Sequence, residues 1–186
     1  MTVKEVLDCA AFLLGKEETQ AYLKQSEAES TPQVQRETEL LLRCYNIVEN
    51  EIALDYLPLT AEESFIAENG TIPYTAFSRF PVSVSAVTDE YGNALPYYVF
   101  PEYLKVRTGK AVVAYSYAPA VKSLSDECEY RTGVSARLIA YGVACEYCLV
   151  DGRYEEAVTW DKKYKDALLC AASAVRPRVV RSRRWV

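Results

Sequence analysis

The hydrophobic spacing of this chain changes near Pro58 from helical to strictly alternating, and near Ser125 it changes back. Upstream of the first change, Val34, Leu41, Tyr45, Val48, Ile52 and Tyr56 recur at three-, four- and seven-residue intervals. Thr31 supplies a cap, Pro32 suits the first turn, and Glu37 and Glu39 are early acids. Leu40, Cys44 and Ile47 widen the stripe. A stripe that wide fits a bundle, or a helix that also touches a neighbouring subunit. Before it, Thr2 and Glu5 form a capping-box pattern, followed by Val3, Val6, Leu7, Ala10, Leu13 and Leu14 at helical spacing and by Gly15 as a stop. A weaker second helix is expected over 17–30.

Between the two changes the pattern predicts five or six short strands. Two apolar runs flank Asn69-Gly70, a hairpin signal. In "PVSVSAVTD", Val82, Val84 and Ala86 alternate with Ser83, Ser85 and Val87, and "PYYVF", "YLKVRTG" and "KAVVAYSYAP" follow. Pro73, Pro81, Pro96, Pro101 and Pro119 suit strand starts and edges. Helices are then expected over 134–150 and 153–174, broken at Asp151-Gly152. Tyr154, Ala157, Trp160, Tyr164, Leu168 and Ala171 lie on one side of the second. Neither helical end can bury its stripe alone, so the two should close on each other. The fold class expected is α+β, a helical bundle with an inserted small antiparallel β domain. Its parts are the N-terminal helices 1–58, the β insertion 59–120, the C-terminal helices 121–175 and a basic tail 176–186.

The chain has no histidine, which removes the commonest general base and zinc ligand and leaves no Cys–His or Ser–His–Asp site within it. Its seven glycines stand apart, so no phosphate-binding loop is present. Cys145 and Cys148 form a C-x-x-C, readable as a redox pair or half a metal site, but more readily as two buried thiols facing the core. The sequon at Asn69 reads as a turn. No cofactor, no metal site and no catalytic residue are expected. No apolar run reaches the roughly 20 residues that span a bilayer, and the N-terminal segment lacks the plan of a signal peptide, so neither membrane insertion nor export is expected.

Charge is unevenly placed. Residues 1–75 hold five Lys/Arg against fourteen Asp/Glu, and residues 151–186 hold nine against five. The sequence finishes "RPRVVRSRRWV", where Arg178, Arg181, Arg183 and Arg184 precede Trp185. Such a segment can neutralise phosphates, or pair with carboxylates on a partner while Trp185 fills a pocket. The fifteen tyrosines are a second signal for contact between proteins. Tyr45, Tyr56, Tyr97, Tyr98, Tyr115 and Tyr117 are the candidates for a subunit interface.

Taken together, helices, a β insertion and two closing helices resemble the head–tail connector (adaptor) proteins of tailed phages and prophages. Residues 71–119 read like the β insertion of such connectors, and residues 151–186 look like their last helix and basic tail. The resemblance implies a structural protein without enzyme activity, made in the host bacterial cytoplasm and located in the virion neck. It implies a homo-oligomeric ring, usually a dodecamer, between the portal protein and a tail-completion or stopper protein, with genomic DNA passing through the channel without sequence specificity. It also implies that Arg178, Arg181, Arg183, Arg184 and Trp185 dock into the portal. Alternative readings are another neck or tail-completion protein, or a nucleic-acid-binding module using the arginine-rich tail.

Overall fold

The computed structural model describes residues 1–24 and 31–175. Five helices and two small antiparallel sheets give an α+β fold in which a small β domain is inserted between helices. The chain divides into two compact units. One is Met1–Glu49 with the chain from Val121 onward, and the other is Asn50–Ala120.

In the helical unit, α1 spans Val3–Leu13, α2 Glu17–Lys24, α3 Pro32–Glu51, α4 Ala136–Val150 and α5 Tyr154–Val175. The capping box forms as the sequence suggests. Thr2 N–H donates to the Glu5 carboxylate at 3.0 Å, and Glu5 N–H donates to the Thr2 hydroxyl at 3.2 Å. Thr31 caps α3 through Val34 N–H at 3.3 Å, and Ser135 caps α4 through Leu138 N–H at 3.2 Å. Helix α2 is tied to α3 by Glu37, which accepts from Lys16 Nζ at 2.9 Å and from the Thr19 hydroxyl at 2.7 Å. The expected continuation of the second helix to residue 30 lies outside the described residues.

Helix α4 is apolar nearly all round and buries Leu138, Ile139, Ala140, Val143, Ala144, Cys145, Tyr147 and Cys148. That composition suits a central helix, and α4 packs against both α1 and α5. Gly142 of α4 lies against Val48 of α3 and Tyr164 of α5. A Cβ added there would lie 2.7 Å from Val48 Cγ1 and 3.0 Å from Tyr164 Cε2. On α5, Ala157, Tyr164, Leu168 and Ala171 face this core. Tyr154 does not, contrary to the expectation from spacing, and is 66% exposed in the first turn. Ile47, on the widened side of the α3 stripe, is also exposed.

Helix α3 continues as a π-turn over Ile52–Tyr56, closed by Leu57 N–H to Ile52 C=O at 2.7 Å, before Pro58 ends it. In the β unit, β1 spans Leu59–Ala67, β2 Thr71–Pro73, β3 Pro81–Thr88, β4 Tyr98–Val99, β5 Tyr103–Lys105 and β6 Gly109–Tyr117. One sheet has the order β1-β6-β3 and the other β2-β5-β4. Their shared core includes Ile72, Phe77, Val87, Leu104, Val113 and Tyr115.

Two local expectations are corrected here. Asn69 (φ 54°) and Gly70 (φ 74°) do form a tight turn, but its arms part into different sheets. β1 pairs with β6 from Leu59↔Tyr117 to Ala67↔Gly109, while β2 pairs with β5. Val106 extends the β2–β5 pairing to the turn: its N–H donates to Gly70 C=O at 2.9 Å, and its own C=O lies 2.7 Å from where a Cβ on Gly70 would stand, which leaves room only for glycine. The second correction concerns β3. Register shifts at Pro81/Ser83 and Val84/Ala86 each add a residue against β6. Pro81 and Val87 are therefore buried and Val84 half-buried, while Val82 is 52% exposed.

Gly142→Ala gains helix propensity but overpacks a three-helix contact against a stiff, β-branched Val48. The expected net loss is about 1–3 kcal/mol by urea unfolding, with part of it recovered in Gly142→Ala/Val48→Ala. Equal stability of the single variant and the wild type would show that the contact relaxes freely.

Candidate functional site

The basic tail, with Arg178, Arg181, Arg183, Arg184 and Trp185, lies outside the described residues. The six tyrosines are dispersed. Tyr45 and Tyr115 are fully buried in the cores of their own units, so their rings are not available to another chain, and this corrects their assignment to a subunit interface. Tyr56, Tyr97 and Tyr117 are half-buried, and Tyr98 is 68% exposed. Tyr97 donates its hydroxyl to Val84 C=O at 3.1 Å, and Tyr117 carries the Arg79 guanidinium 4.3 Å above its ring.

Tyr115 organises the β unit. Its ring meets Phe77 edge-on at 5.0 Å, and Phe77 packs on Phe65 at 4.4 Å. Its hydroxyl donates to the Glu63 carboxylate, which also accepts from the Ser78 hydroxyl and from Ser78 N–H. The Ser78 and Tyr115 hydrogen bonds hold the Glu63 carboxyl below the usual carboxylate range. Around this core, Phe80, Val82, Tyr98, Val99 and Phe100 are exposed apolar side chains of one small unit.

In the helical unit a polar cluster fastens the returning chain to α3. The Asn46 side chain accepts from Lys122 N–H at 2.6 Å and donates to Lys122 C=O at 3.1 Å. One α-turn further on, the Glu49 carboxylate accepts from Glu129 N–H at 2.8 Å. Lys122 and Glu129 pair at 2.8 Å, largely shielded from solvent. The other side of the same segment is held by α1, through Val3 N–H to Asp126 C=O at 3.0 Å and Cys128 N–H to Met1 C=O at 3.2 Å.

Glu49 is 1% exposed. Burial pushes its pKa up, against the opposing pull of the Glu129 N–H, the Tyr45 hydroxyl and the Lys122 ammonium. Burial likewise raises the Tyr45 hydroxyl and the Cys128 thiol beside it. No pattern in the sequence marks this cluster as a site. The available signal was an acid four residues after Tyr45, inside the apolar stripe.

Cys145 and Cys148 are buried free thiols on α4. Burial pushes Cys145 up to about 11 and also raises Cys148. Among the described residues no three His, Cys, Asp or Glu side chains stand together to hold a metal ion, and no helix is long and apolar enough to cross a membrane. Comparison with protein-family models and with curated proteins finds no match for this chain.

Glu49 binds its proton more tightly folded than unfolded. Its contribution is therefore most favourable below the usual carboxylate range and declines as pH rises through its raised pKa. Glu49→Gln keeps an acceptor for Glu129 N–H and removes the buried charge. Urea unfolding across pH 4 to 7.5 should give the variant a flatter profile, with its gain over wild type largest at neutral pH. Parallel profiles would remove Glu49 as the source of the pH dependence.

For the thiols, a pKa of about 11 leaves Cys145 roughly one part in ten thousand thiolate at neutral pH. Iodoacetamide on native protein should label exposed Cys170 first and leave Cys145 and Cys148 unmodified until urea is added. Mass spectrometry of the peptides reads this directly, and early labelling of Cys148 would contradict its burial.

Proposed function

We propose that this chain is a structural head–tail connector of a tailed phage or prophage. In this reading it assembles as a homo-oligomeric ring between portal and tail, and its arginine-rich tail docks into the portal. It performs no catalysis. Its neighbours are the portal protein and a tail-completion or stopper protein, with genomic DNA passing through the ring without sequence-specific contacts.

The observation that carries the reading is the order of parts. A helical unit is interrupted by a contiguous β unit, closed by α4 and α5, and followed directly by a segment with five arginines and a tryptophan. A segment of that composition suits a partner with carboxylates and an aromatic pocket. The exposed apolar side chains of the β unit, Phe80, Val82, Tyr98, Val99 and Phe100, suit burial against a neighbouring protein. The alternative with nucleic acid as the partner rests on the same arginines, but the overall charge of −5 disfavours it, since a nucleic-acid footprint usually needs a basic face as well.

The test is a pull-down with assembled portal rings from the same genome, using the full chain and a chain ending at Val175. The full chain should bind, and the shortened one should bind at least tenfold more weakly, as expected when a hot-spot anchor is removed. Undiminished binding by the shortened chain would overturn the docking role of the tail. Tight duplex-DNA binding by the full chain that collapses between 50 and 200 mM salt would favour the nucleic-acid reading.

A further inference from the structure

The two edges of the three-stranded sheet are treated differently. The β3 edge begins with Pro81 and carries two register shifts. It is further covered by its own chain, through Leu95 N–H to Val87 C=O at 2.8 Å, the Thr88–Ala94 bridge and the Tyr97 hydroxyl on Val84 C=O at 3.1 Å. The β1 edge has none of these devices. Its nine residues pair with β6 in unbroken register and contain no proline. Among the described residues, only the turn hydrogen bond from Glu68 N–H to Ile66 C=O touches its backbone from outside that ladder. Long regular edges left open in this way are templates for an added strand.

The side chains along this edge define what would fit. Thr60, Glu62, Ser64 and Ile66 alternate on the exposed face, and Ile66 is 72% exposed. Glu62 and Glu68 are exposed and form no ion pair among the described residues, while Lys110, which faces Ile66 on β6, is paired with Glu90 at 3.3 Å. An incoming strand should therefore bring a cation opposite Glu62 and apolar side chains opposite Phe65 and Ile66.

We infer that the β1 edge of one copy accepts residues 178–186 of a second copy as an antiparallel fourth strand. In one register Val179 falls opposite Ile66, Val180 opposite Phe65 and Arg183 opposite Glu62, so the apolar pairs and the charge pair form together. The eleven residues after α5 are long enough to span the nine-residue edge. In the connector reading, arrival of a portal draws the same segment off the edge. The edge contact itself needs only two copies and no portal, so it stands or falls separately.

The test is sedimentation of the full chain without portal, over a concentration series up to about 200 µM, together with hydrogen exchange of the β1 amides. The full chain should self-associate, and its β1 amides should slow as concentration rises. Glu62→Arg and Arg183→Glu should each weaken association about tenfold, since each turns an attractive cross-strand pair into a repulsive one. The double variant Glu62→Arg/Arg183→Glu should return to within about threefold of wild type, and no general loss of folding would produce that rescue. A monomer at every concentration, or association indifferent to both single changes, overturns the inference. So does β1 protection that is independent of concentration, which would place the segment on its own chain. Portal docking can survive any of these failures, and a lack of portal binding leaves the edge contact standing.

Discussion

A helical unit interrupted by a 71-residue insertion holds together only if the point of departure and the point of return are fastened to each other. Asn46 and Glu49 do this from the last turns of α3, gripping the backbone at Lys122 and Glu129. The grip is made by side chain to backbone, so it fixes the path of the returning segment whatever its side chains are. It requires burying a carboxylate, and burial is the reason the Glu49 carboxyl resists ionisation. With the returning segment held, Val3 and Met1 close on its other side, and α4 is delivered to the gap between α1 and α5.

The β unit meets a different constraint, since a small sheet has little core to spare. It concentrates aromatic area on Phe65, Phe77 and Tyr115, and satisfies the one buried hydroxyl with Glu63. The two shifts in β3 change its inward spacing from two to three, so that Pro81 and Val87 are buried and Val84 between them is half-buried.

Much of the helical architecture was legible because its signals are local. Caps at Thr2 and Thr31 and the stops at Gly15 and Gly152 follow from chemistry within one turn, whereas the Ser135 cap one residue inside the expected start of α4 emerged only in the structure. Strand existence was legible for the same reason. Strand partners were not, because the Asn69-Gly70 turn fixes only the reversal of the chain, and the partners of its two arms lie at 109–117 and 103–105. Alternation misled at Val82, since a bulge shifts the inward side without changing the composition. Tyr45 and Tyr115 show the limit of reading aromatics as contact residues. Both sit at positions where spacing alone does not distinguish a core from an interface. The Glu49 cluster was invisible because its partners, backbone groups at 122 and 129, carry no side-chain signature.

The split of the helical unit across the sequence has a consequence during synthesis. The first forty-nine residues leave the ribosome with α1 and α3 lacking the cover that α4 later supplies. At roughly 5–20 residues per second, making Asn50–Ala120 imposes a wait of about 4–14 s. The sheets, whose strand pairings all lie within that contiguous stretch, can form in the interval. Translation thus completes the second unit in the chain before the first.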